Sequence, residues 1–544
     1  MKKNICSVLS LALIISLLGC DLSVTEMNLR IAYDRAHQEI DGFGASDAWS
    51  IDPTIGKWLS ENDQAAIDRL ADRLFSVDQG IGLSAWRFNI GAGSAEQGDA
   101  SLIPDRMRRA QLLVANPGGA IDKNKQLGQI RMLQEAYERG VTQFVAFANS
   151  PPHWATKNGL THPGDGTEIG STNLDPERLD DFAEFLVDVV AYLRSDAVGV
   201  PVNYLSPINE PTWEWQGQSQ EANRYNMDEV AAVYRQVAWA LQKVGLGAEV
   251  EVDGPESVEY SAALGDAYMH EFDGTVYGGG MNGKGLGSYK NYVDELLGDA
   301  ELRDILHNKI SLHAYWSEAS ADRLGRLRDL LRENLRSVSP DAKLWMSEFC
   351  ILGDGGDVRS FGGHGFEIDN LDYALHVARF IHRDLTRLDA SAWFWWLALT
   401  PYDYKDGLLK IDPSLDAVSV QESKLMWTLG NFSRFVRPGY RRIELPDVDD
   451  LNGVMASAYK APDDSRLVVI AINAGEATER ISLDIVGLPG ARTAGTIDVF
   501  VTDAAHDLTL TASETTSTNF TLLPRSTTTF LVHLAAGSKD TENQ

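Results

Sequence analysis

The chain has 544 residues, of which 44% are hydrophobic and 23% are charged, and this composition is typical of a globular protein with a large core and more than one domain. The formal net charge is −30 at pH 7. Because phosphate binding requires a positive surface, this charge disfavours a nucleic-acid partner, and it disfavours an anionic polysaccharide for the same reason.

Residues 1–20 predict a signal peptide. Lys2 and Lys3 precede an apolar stretch at 8–18 that is too short for a membrane span. The sequence Leu-Leu-Gly-Cys that ends at Cys20 resembles a bacterial lipobox, and it predicts cleavage before Cys20 and lipidation of that cysteine. The alternative is a plain secretory signal in which Cys20 is incidental. We therefore expect export and a lipid anchor in the bacterial cell envelope at the outer membrane, and we leave the membrane face open.

Cys6 lies in the predicted signal, so Cys350 is the single cysteine of the mature chain besides the lipidated one. An intramolecular disulfide is therefore not expected. Cys350 is interpreted as a small buried residue rather than a nucleophile, because no histidine adjoins it in the sequence.

After a tether and the first sandwich strands at 21–40, strands and helices alternate through residues 41–430. Strands are predicted at 43–45, 83–90, 143–148, 202–208, 249–253, 310–312, 343–348 and 390–396. Helices are predicted at 61–75, 126–139, 177–193, 228–244, 321–335, 371–388 and 421–435. Eight alternating units predict a (β/α)8 TIM barrel with insertions.

Residues 431–536 lack the alternation of strands and helices, and their pattern predicts an attached all-β sandwich. Short strands follow one another there without helices, at 453–459, 467–472, 480–485, 496–501, 518–522 and 527–534. The tail at 537–544 is polar and is predicted to be disordered.

Two glutamates stand at the ends of predicted barrel strands. Glu210 follows the fourth strand, where Pro211 cannot continue the ladder, and Glu348 ends the seventh strand. The carboxyl ends of barrel strands converge on one face, and a pair of carboxyls about 5–5.5 Å apart is what retaining cleavage of a glycosidic bond requires. The residues alone do not assign the two roles. The alternative is that either glutamate is merely paired with an arginine.

Other side chains are predicted on the same face. Arg87 either supports a carboxylate or forms an ordinary buried ion pair, and His313 either binds a sugar or a catalytic glutamate or is a core histidine. Alternate aromatic residues of 393–396 face opposite sides of their strand, so one pair is expected in the cleft. The full set of candidate substrate-binding residues is Asp47, Trp49, Arg87, Asn149, Trp154, Asn209, His313, Tyr315 and Trp395.

No cofactor and no metal are expected. The glycine-rich segment 278–285 approaches a phosphate-binding loop, but Gly285 stands where Ser or Thr is needed. The pair His270-Glu271 lacks the second histidine of a zinc helix. The expected partner is a neutral β-linked glycan, contact with a membrane is expected through the lipid anchor alone, and the oligomeric state is left open.

Several motifs of this chain resemble those of glycoside hydrolase family 30: Asp41-Gly42-Phe43-Gly44-Ala45-Ser46, Trp86-Arg87-Phe88, Ser150-Pro151-Pro152-His153-Trp154, Asn209-Glu210-Pro211 and Ser347-Glu348-Phe349. The resemblance implies a (β/α)8 barrel with an attached β-sandwich and catalysis with retention. It implies that Glu210 is the acid/base, that Glu348 is the nucleophile, and that Asn209 binds the sugar 2-hydroxyl.

Within the family, the segments at 47–49, 210–215 and 313–316 look most like those of endo-β-1,6-galactanases. The resemblance thus implies cleavage of internal β-1,6-galactosidic linkages in galactan side chains of the arabinogalactan type. A β-1,6-glucanase, a β-xylosidase and a glucosylceramidase remain alternatives within the enzyme class. The alternative from a different class is a surface glycan-binding lipoprotein without catalysis.

Overall fold

The computed structural model describes residues 27–535 except 165–168, 216–218, 270–271, 273–280, 319, 353–360, 447, 491 and 515–516. The predicted signal peptide, the predicted lipidation site at Cys20, the polar tail and most residues of the segment 270–285 therefore lie outside the described residues. Within the described part of the chain, every helix is too short or too polar to cross a membrane.

The strands are numbered along the chain, and β1 (Met27–Glu39) belongs to a second sheet. Parallel strands form the first sheet, with the hydrogen-bonded order β6-β5-β4-β3-β2-β10-β9-β8-β7. They are β2 (Gly42–Ser46), β3 (Ala85–Ile90), β4 (Gln143–Ala148), β5 (Tyr204–Ser206), β6 (Glu251–Val252), β7 (Pro255–Ser257), β8 (Lys309–His313), β9 (Lys343–Phe349) and β10 (Ala392–Thr400).

β6 and β7 are two halves of one barrel strand, which is interrupted at Asp253 and Gly254. The backbone N–H of Asp253 donates to the carbonyl of Leu205 (2.9 Å), and the N–H of Ser311 donates to the carbonyl of Gly254 (2.8 Å). The split strand therefore pairs with both of its neighbours and closes a barrel of eight positions. This confirms the predicted (β/α)8 fold.

Helices pack around the barrel in the connections between its strands. The main ones are Ile51–Ser60, Gln64–Phe75, Leu127–Glu138, Leu179–Arg194, Met227–Lys243, Ala300–Ile305, Arg328–Val338, Leu371–Thr386 and Lys424–Ser433. The single helix predicted at 61–75 is wrong at its start, because the chain turns at Asn62 (φ 58°) and Asp63 caps a new helix by accepting from the N–H of Ala66 (3.0 Å). A small hairpin, β11 (Gly407–Lys410) with β12 (Gln421–Glu422), follows β10 and was not predicted.

The barrel interior is filled by side chains that alternate along the strands. Ala85, Val145, Trp345, Ala392 and Phe394 form a separate buried cluster inside the ring of strands. Aromatic and small residues therefore share this space, as the tight interior of an eight-stranded barrel requires.

The second sheet is all-β and contains β1 together with the strands that follow the barrel. Its hydrogen-bonded order is β18-β17-β20-β15-β14-β13-β1-β16-β19. These strands are β13 (Arg441–Glu444), β14 (Val454–Lys460), β15 (Arg466–Asn473), β16 (Glu479–Val486), β17 (Thr493–Thr502), β18 (Thr509–Glu514), β19 (Asn519–Leu522) and β20 (Ser526–Ala535).

This sheet folds over on itself to make two layers. Phe520 on β19 and Phe530 on β20 lie far apart in the strand order, yet their ring centroids are 4.8 Å apart. The other face of β14 and β15 packs on the barrel, because Met455, Val468 and Ile470 belong to the same buried cluster as the barrel helices. The all-β domain that the sequence predicts is thus confirmed, and it is anchored to the barrel by an apolar seam.

Candidate active site

Glu210 and Glu348 meet at the carboxyl end of the barrel. Glu210 lies four residues past β5 with a positive φ of 45°, and its backbone N–H donates to the carbonyl of Glu256 (3.0 Å). Glu348 is the penultimate residue of β9. Both side chains are buried, and carboxylate oxygens of the two lie within 4.8 Å of one another. This spacing fits the roughly 5 Å of a retaining pair and is too short for the roughly 6.5–9.5 Å of an inverting pair.

Arg87 projects from β3 and joins two buried carboxylates. Its Nη1 donates to Oε2 of Glu348 (2.8 Å), and its Nη2 donates to both oxygens of Glu256 (2.9 and 3.1 Å). Phe147 lies under the guanidinium, 4.1 Å from ring centroid to Cζ. The guanidinium thus supports Glu348 directly, and it stands between that residue and a third glutamate.

Glu256 is the functional residue that the sequence reasoning missed. It lies in β7 with a positive φ of 54°, and it accepts a hydrogen bond from Ser206 Oγ (2.9 Å) as well as those from Arg87. Burial raises the pKa of Glu256 to about 7, although the charge of Arg87 opposes the rise. The available signal was its position just after a predicted strand at 249–253, which is the same pattern that identified Glu210 and Glu348.

His313 and Tyr315 complete the hydrogen bonds around the pair. His313 Nδ1 lies 3.1 Å from Oε1 of Glu210 and 3.5 Å from Oε1 of Glu348. Burial, with the charge of Arg87, lowers the pKa of His313 well below its usual value, so its imidazole is neutral at pH 7. The hydroxyl of Tyr315 donates to Oε1 of Glu348 (2.7 Å).

The two glutamates have different electrostatic surroundings. The pKa of Glu210 is raised well above its usual value, first by burial and then by the negative charges of Glu348 and Glu256. Burial also raises the pKa of Glu348, but Arg87 and the Tyr315 hydroxyl stabilise its carboxylate and oppose the rise. Glu210 is therefore the group that holds a proton, and Glu348 is the group that stays ionised.

Glu210, His313 and Glu348 are close enough together to be considered as metal ligands. The guanidinium of Arg87 contacts Glu348 at 2.8 Å and places a positive charge beside the cluster. A divalent cation would be repelled by that charge, so the arrangement suits proton transfer and nucleophilic attack better than metal binding.

A cleft of about 310 Å³ opens over the two glutamates, and its walls are aromatic. Trp213 and Trp316 stack against one another with ring centroids 5.8 Å apart, and Trp49 meets Trp396 edge to face at 5.2 Å. Arg108 lies over the ring of Trp49 at 4.1 Å. The lining also includes Asn209, Trp215, Gln220, Tyr315, Cys350, Tyr404 and Asp406.

The predicted residues Trp49, Asn209 and Tyr315 line this cleft, whereas His313 and Arg87 lie just behind it. The side-chain oxygen of Asn209 is buried and accepts no hydrogen bond from any of the residues that the structure describes. Asn209 therefore presents an acceptor beside Glu210, where a sugar hydroxyl can donate to it.

Asp47 and Asn149 lie among buried polar groups and are not part of the cleft lining. Asp47 Oδ1 accepts from the N–H of Asn89 (2.8 Å) and from Gln129 Nε2 (2.8 Å), and burial raises the pKa of Asp47 to about 8. Asn149 Nδ2 donates to Asn89 Oδ1 (3.0 Å). Both residues hold Asn89, near the end of β3, in place, so the structure gives them a positioning role instead of contact with the cleft.

Trp154 and Trp395 were expected in the cleft, and the structure places both elsewhere. Trp154 donates to the carbonyl of Val114 (3.1 Å) and packs edge to face on Phe185 of an outer helix. Trp395 is fully buried and donates to the carbonyl of Asp406 (2.7 Å). Alternation along β10 aims Phe394 into the barrel, and the next residue of the same parity, Trp396, is the one that reaches the cleft.

The O-Glycosyl hydrolase family 30 model matches residues 26–410, well over half of the chain. The glucuronoxylanase XynC of Bacillus subtilis (strain 168) is 24% identical over 425 residues, which cover 76% of this chain and 79% of that protein. A second XynC sequence from Bacillus subtilis is also 24% identical, and the match covers 64% of the length of that protein.

Solved structures share the fold over 93% of this chain. A conserved exported protein from Bacteroides fragilis has a TM-score of 0.77 with 27% identity and is covered completely. The catalytic domain of the GH30 xylanase C from Talaromyces cellulolyticus (TM-score 0.64, 20% identity) is covered to 99%, and the endo-beta1,6-glucanase BT3312 (TM-score 0.61, 16% identity) is covered to 94%. By its matched segment and its barrel with a paired-glutamate cleft, this chain belongs to O-glycosyl hydrolase family 30.

Proposed function

We propose that the protein is a retaining glycoside hydrolase that cleaves internal β-1,6-galactosidic linkages in galactan side chains. The observation that carries the reaction type is the pair Glu210 and Glu348, whose carboxylate oxygens lie within 4.8 Å of one another. Nearby negative charges raise the pKa of Glu210, whereas Arg87 opposes the rise in the pKa of Glu348. A non-catalytic glycan-binding protein would need the aromatic walls but not this pair of buried carboxyls.

In the first step, a carboxylate oxygen of Glu348 attacks the anomeric carbon while the bond to the leaving oxygen breaks, and Glu210 gives its proton to that oxygen. In the second step, Glu210 takes a proton from a water molecule as the water attacks the same carbon, and Glu348 departs as a carboxylate. Two inversions give retention of configuration. Arg87 and Tyr315 stabilise the negative charge that Glu348 carries at the start and at the end.

The galactan assignment rests on the sequence segments at 47–49, 210–215 and 313–316. These segments supply Trp49, Trp213, Trp215, Tyr315 and Trp316, which line the cleft in the structure. Their flat apolar faces suit the C–H faces of pyranose rings on either side of the scissile bond. The named relatives act on other glycans, since XynC is a glucuronoxylanase and BT3312 is an endo-beta1,6-glucanase. Xylan and β-1,6-glucan are therefore the competing substrates to test.

The test is product analysis on β-1,6-galactan, β-1,6-glucan and glucuronoxylan with the wild-type protein and Glu348→Gln. We expect short galacto-oligosaccharides from the wild type and a loss of about 1,000-fold or more in Glu348→Gln, because the nucleophile is removed without a large change of shape. Proton NMR of the first product should show the β anomer before mutarotation. An initial α anomer would refute retention.

Glu135→Gln is the matched control, because Glu135 is also a buried glutamate but lies on the outer helix Leu127–Glu138. It should cleave the same substrate at a rate near that of the wild type. Cleavage of glucan or xylan in place of galactan would overturn the substrate and keep the mechanism. Binding without cleavage of any glycan would overturn the enzyme assignment.

We also propose that the chain is exported and lipidated at Cys20, which would hold the enzyme at the bacterial envelope. In cells that process such signals, we expect the wild type in the membrane fraction and Cys20→Ala in the soluble fraction or uncleaved. Equal membrane retention of the wild type and of a Cys20→Ala protein whose signal has been cleaved would contradict the anchor.

A further inference from the structure

A second groove lies on the outside of the barrel, between the helices Met227–Lys243 and Ala300–Ile305. Its volume is about 550 Å³, which is within the usual range of ligand sites, roughly 300–1,000 Å³. Val250, which precedes β6, and Val252, which is in β6, form part of its floor, and His307, which precedes β8, also lines it. Because Glu210 and Glu348 lie at the carboxyl ends of their strands, this groove is at the opposite end of the barrel from the catalytic cleft.

Trp239 forms a wall of this groove and remains 50% exposed. A single exposed apolar side chain is ordinary, but Trp239 borders a floor that includes the buried side chains Leu241, Val250 and Val252. Lys243 lies over the indole at 5.0 Å and is itself ion-paired with Glu184 (2.7 Å). The cation–π contact restrains the ring, which lowers the cost of ordering it when a ligand binds.

The rim of the groove is polar, and its charged side chains Arg235, Glu301 and Asp304 carry a net negative charge. Arg235 is ion-paired with Glu301 (2.7 Å) and lies 3.6 Å from Asp299. Gln242 and His307 add further hydrogen-bonding groups on the two sides. An anion would meet net negative charge here, and a wholly apolar ligand would strip water from these groups without replacing it.

We propose that this groove is a second, non-catalytic binding site for a neutral glycan chain. Sugar rings are the chemistry that matches it, because they offer a C–H face to the indole of Trp239 and hydroxyls to the rim. The site would hold a polysaccharide away from the catalytic cleft and raise the local concentration of cleavable linkages. This inference rests on the proposed function, since the chain that the groove holds is the polymer that the cleft cleaves.

The test uses native gels that contain β-1,6-galactan, β-1,6-glucan or glucuronoxylan, with Glu348→Gln as the parent so that the polymer stays intact. Adding Trp239→Ala should weaken retardation by about fivefold to tenfold in the gel that retards the parent, because a stacking contact is lost. Tyr137→Ala is the matched control, because Tyr137 is 47% exposed on another barrel helix and does not border the groove. It should migrate as the parent does.

In the protein that keeps Glu348, Trp239→Ala should hydrolyse short oligosaccharides at the wild-type rate and show a higher KM on the polymer. Unchanged retardation of Trp239→Ala, or no retardation of the parent in any gel, would overturn the glycan site. An oligomer in light scattering that Trp239→Ala dissociates would overturn it in favour of self-association. If glucan or xylan is cleaved instead of galactan, the substrate proposal fails. The groove is then tested by the retardation of the parent and of Trp239→Ala in the gel that contains the cleaved polymer.

Discussion

Replacing Glu256 with glutamine should move the pH dependence of the enzyme toward acid. The negative charge of Glu256 helps to raise the pKa of Glu210, whose proton is needed for departure of the leaving group. The two carboxylates flank the imidazole of His313, whose Nδ1 is 3.1 Å from Glu210 and whose Nε2 is 4.0 Å from Glu256. Removing one negative charge makes the proton on Glu210 easier to lose.

The size of the shift follows from Coulomb's law. Charges on opposite sides of an imidazole are about 9 Å apart, and at an effective dielectric constant of about 20 the repulsion between two full charges is roughly 1.8 kcal/mol, or at most about 1.4 pKa units. The pKa of Glu256 itself is raised to about 7, so most of its charge is present on the alkaline side of neutrality. In a plot of kcat/KM against pH, the alkaline limb of Glu256→Gln should therefore lie about one pH unit lower than that of the wild type.

The substitution keeps one of the two hydrogen bonds from Arg87 to this residue. The amide oxygen can keep the bond at 2.9 Å, whereas the amide nitrogen cannot accept the one at 3.1 Å and must turn toward Ser206 Oγ, to which it can donate. The assay is kcat/KM against pH on the glycan that the wild type cleaves, with Glu135→Gln as a buried-glutamate control. An alkaline limb that stays in place or moves to higher pH would refute the electrostatic role of Glu256.

Two further predictions concern the barrel and its cysteine. Gly44→Ala should lower the free energy of unfolding by about 1–3 kcal/mol, since its Cβ would lie 2.5 Å from the Phe394 ring, whereas Gly56→Ala, with open space in an outer helix, should be neutral or stabilising. Denaturant melts compare the two, and equal effects would contradict the packing argument. Cys350→Ala should keep activity within about threefold, because burial raises the thiol pKa well above its usual value and leaves it unreactive. A loss of about 100-fold in kcat/KM would show that the thiol takes part.

Periodicity and strand ends in the sequence were enough to predict the barrel. Each barrel strand was placed within a few residues, although the strand predicted at 249–253 is divided at Asp253 and Gly254 in the structure. The short strands β11, β12, β13 and β18 were not predicted from the sequence, because they carry weak alternation or follow turns. The helix predicted at 61–75 was extended too far back because the turn at Asn62 depends on a left-handed backbone conformation that its sequence does not require.

The sequence by itself determined the fold class, the family and the positions of Glu210 and Glu348, because strand ends and local motifs are properties of neighbouring residues. The tertiary structure decided which distant side chains meet. It placed Glu256 behind Arg87 and chose Trp396 over Trp395, since the residues of β10 that face the barrel interior are those that alternate with Phe394. Such convergence depends on strand register and barrel closure, and these are set by packing across the whole domain, not by any single segment.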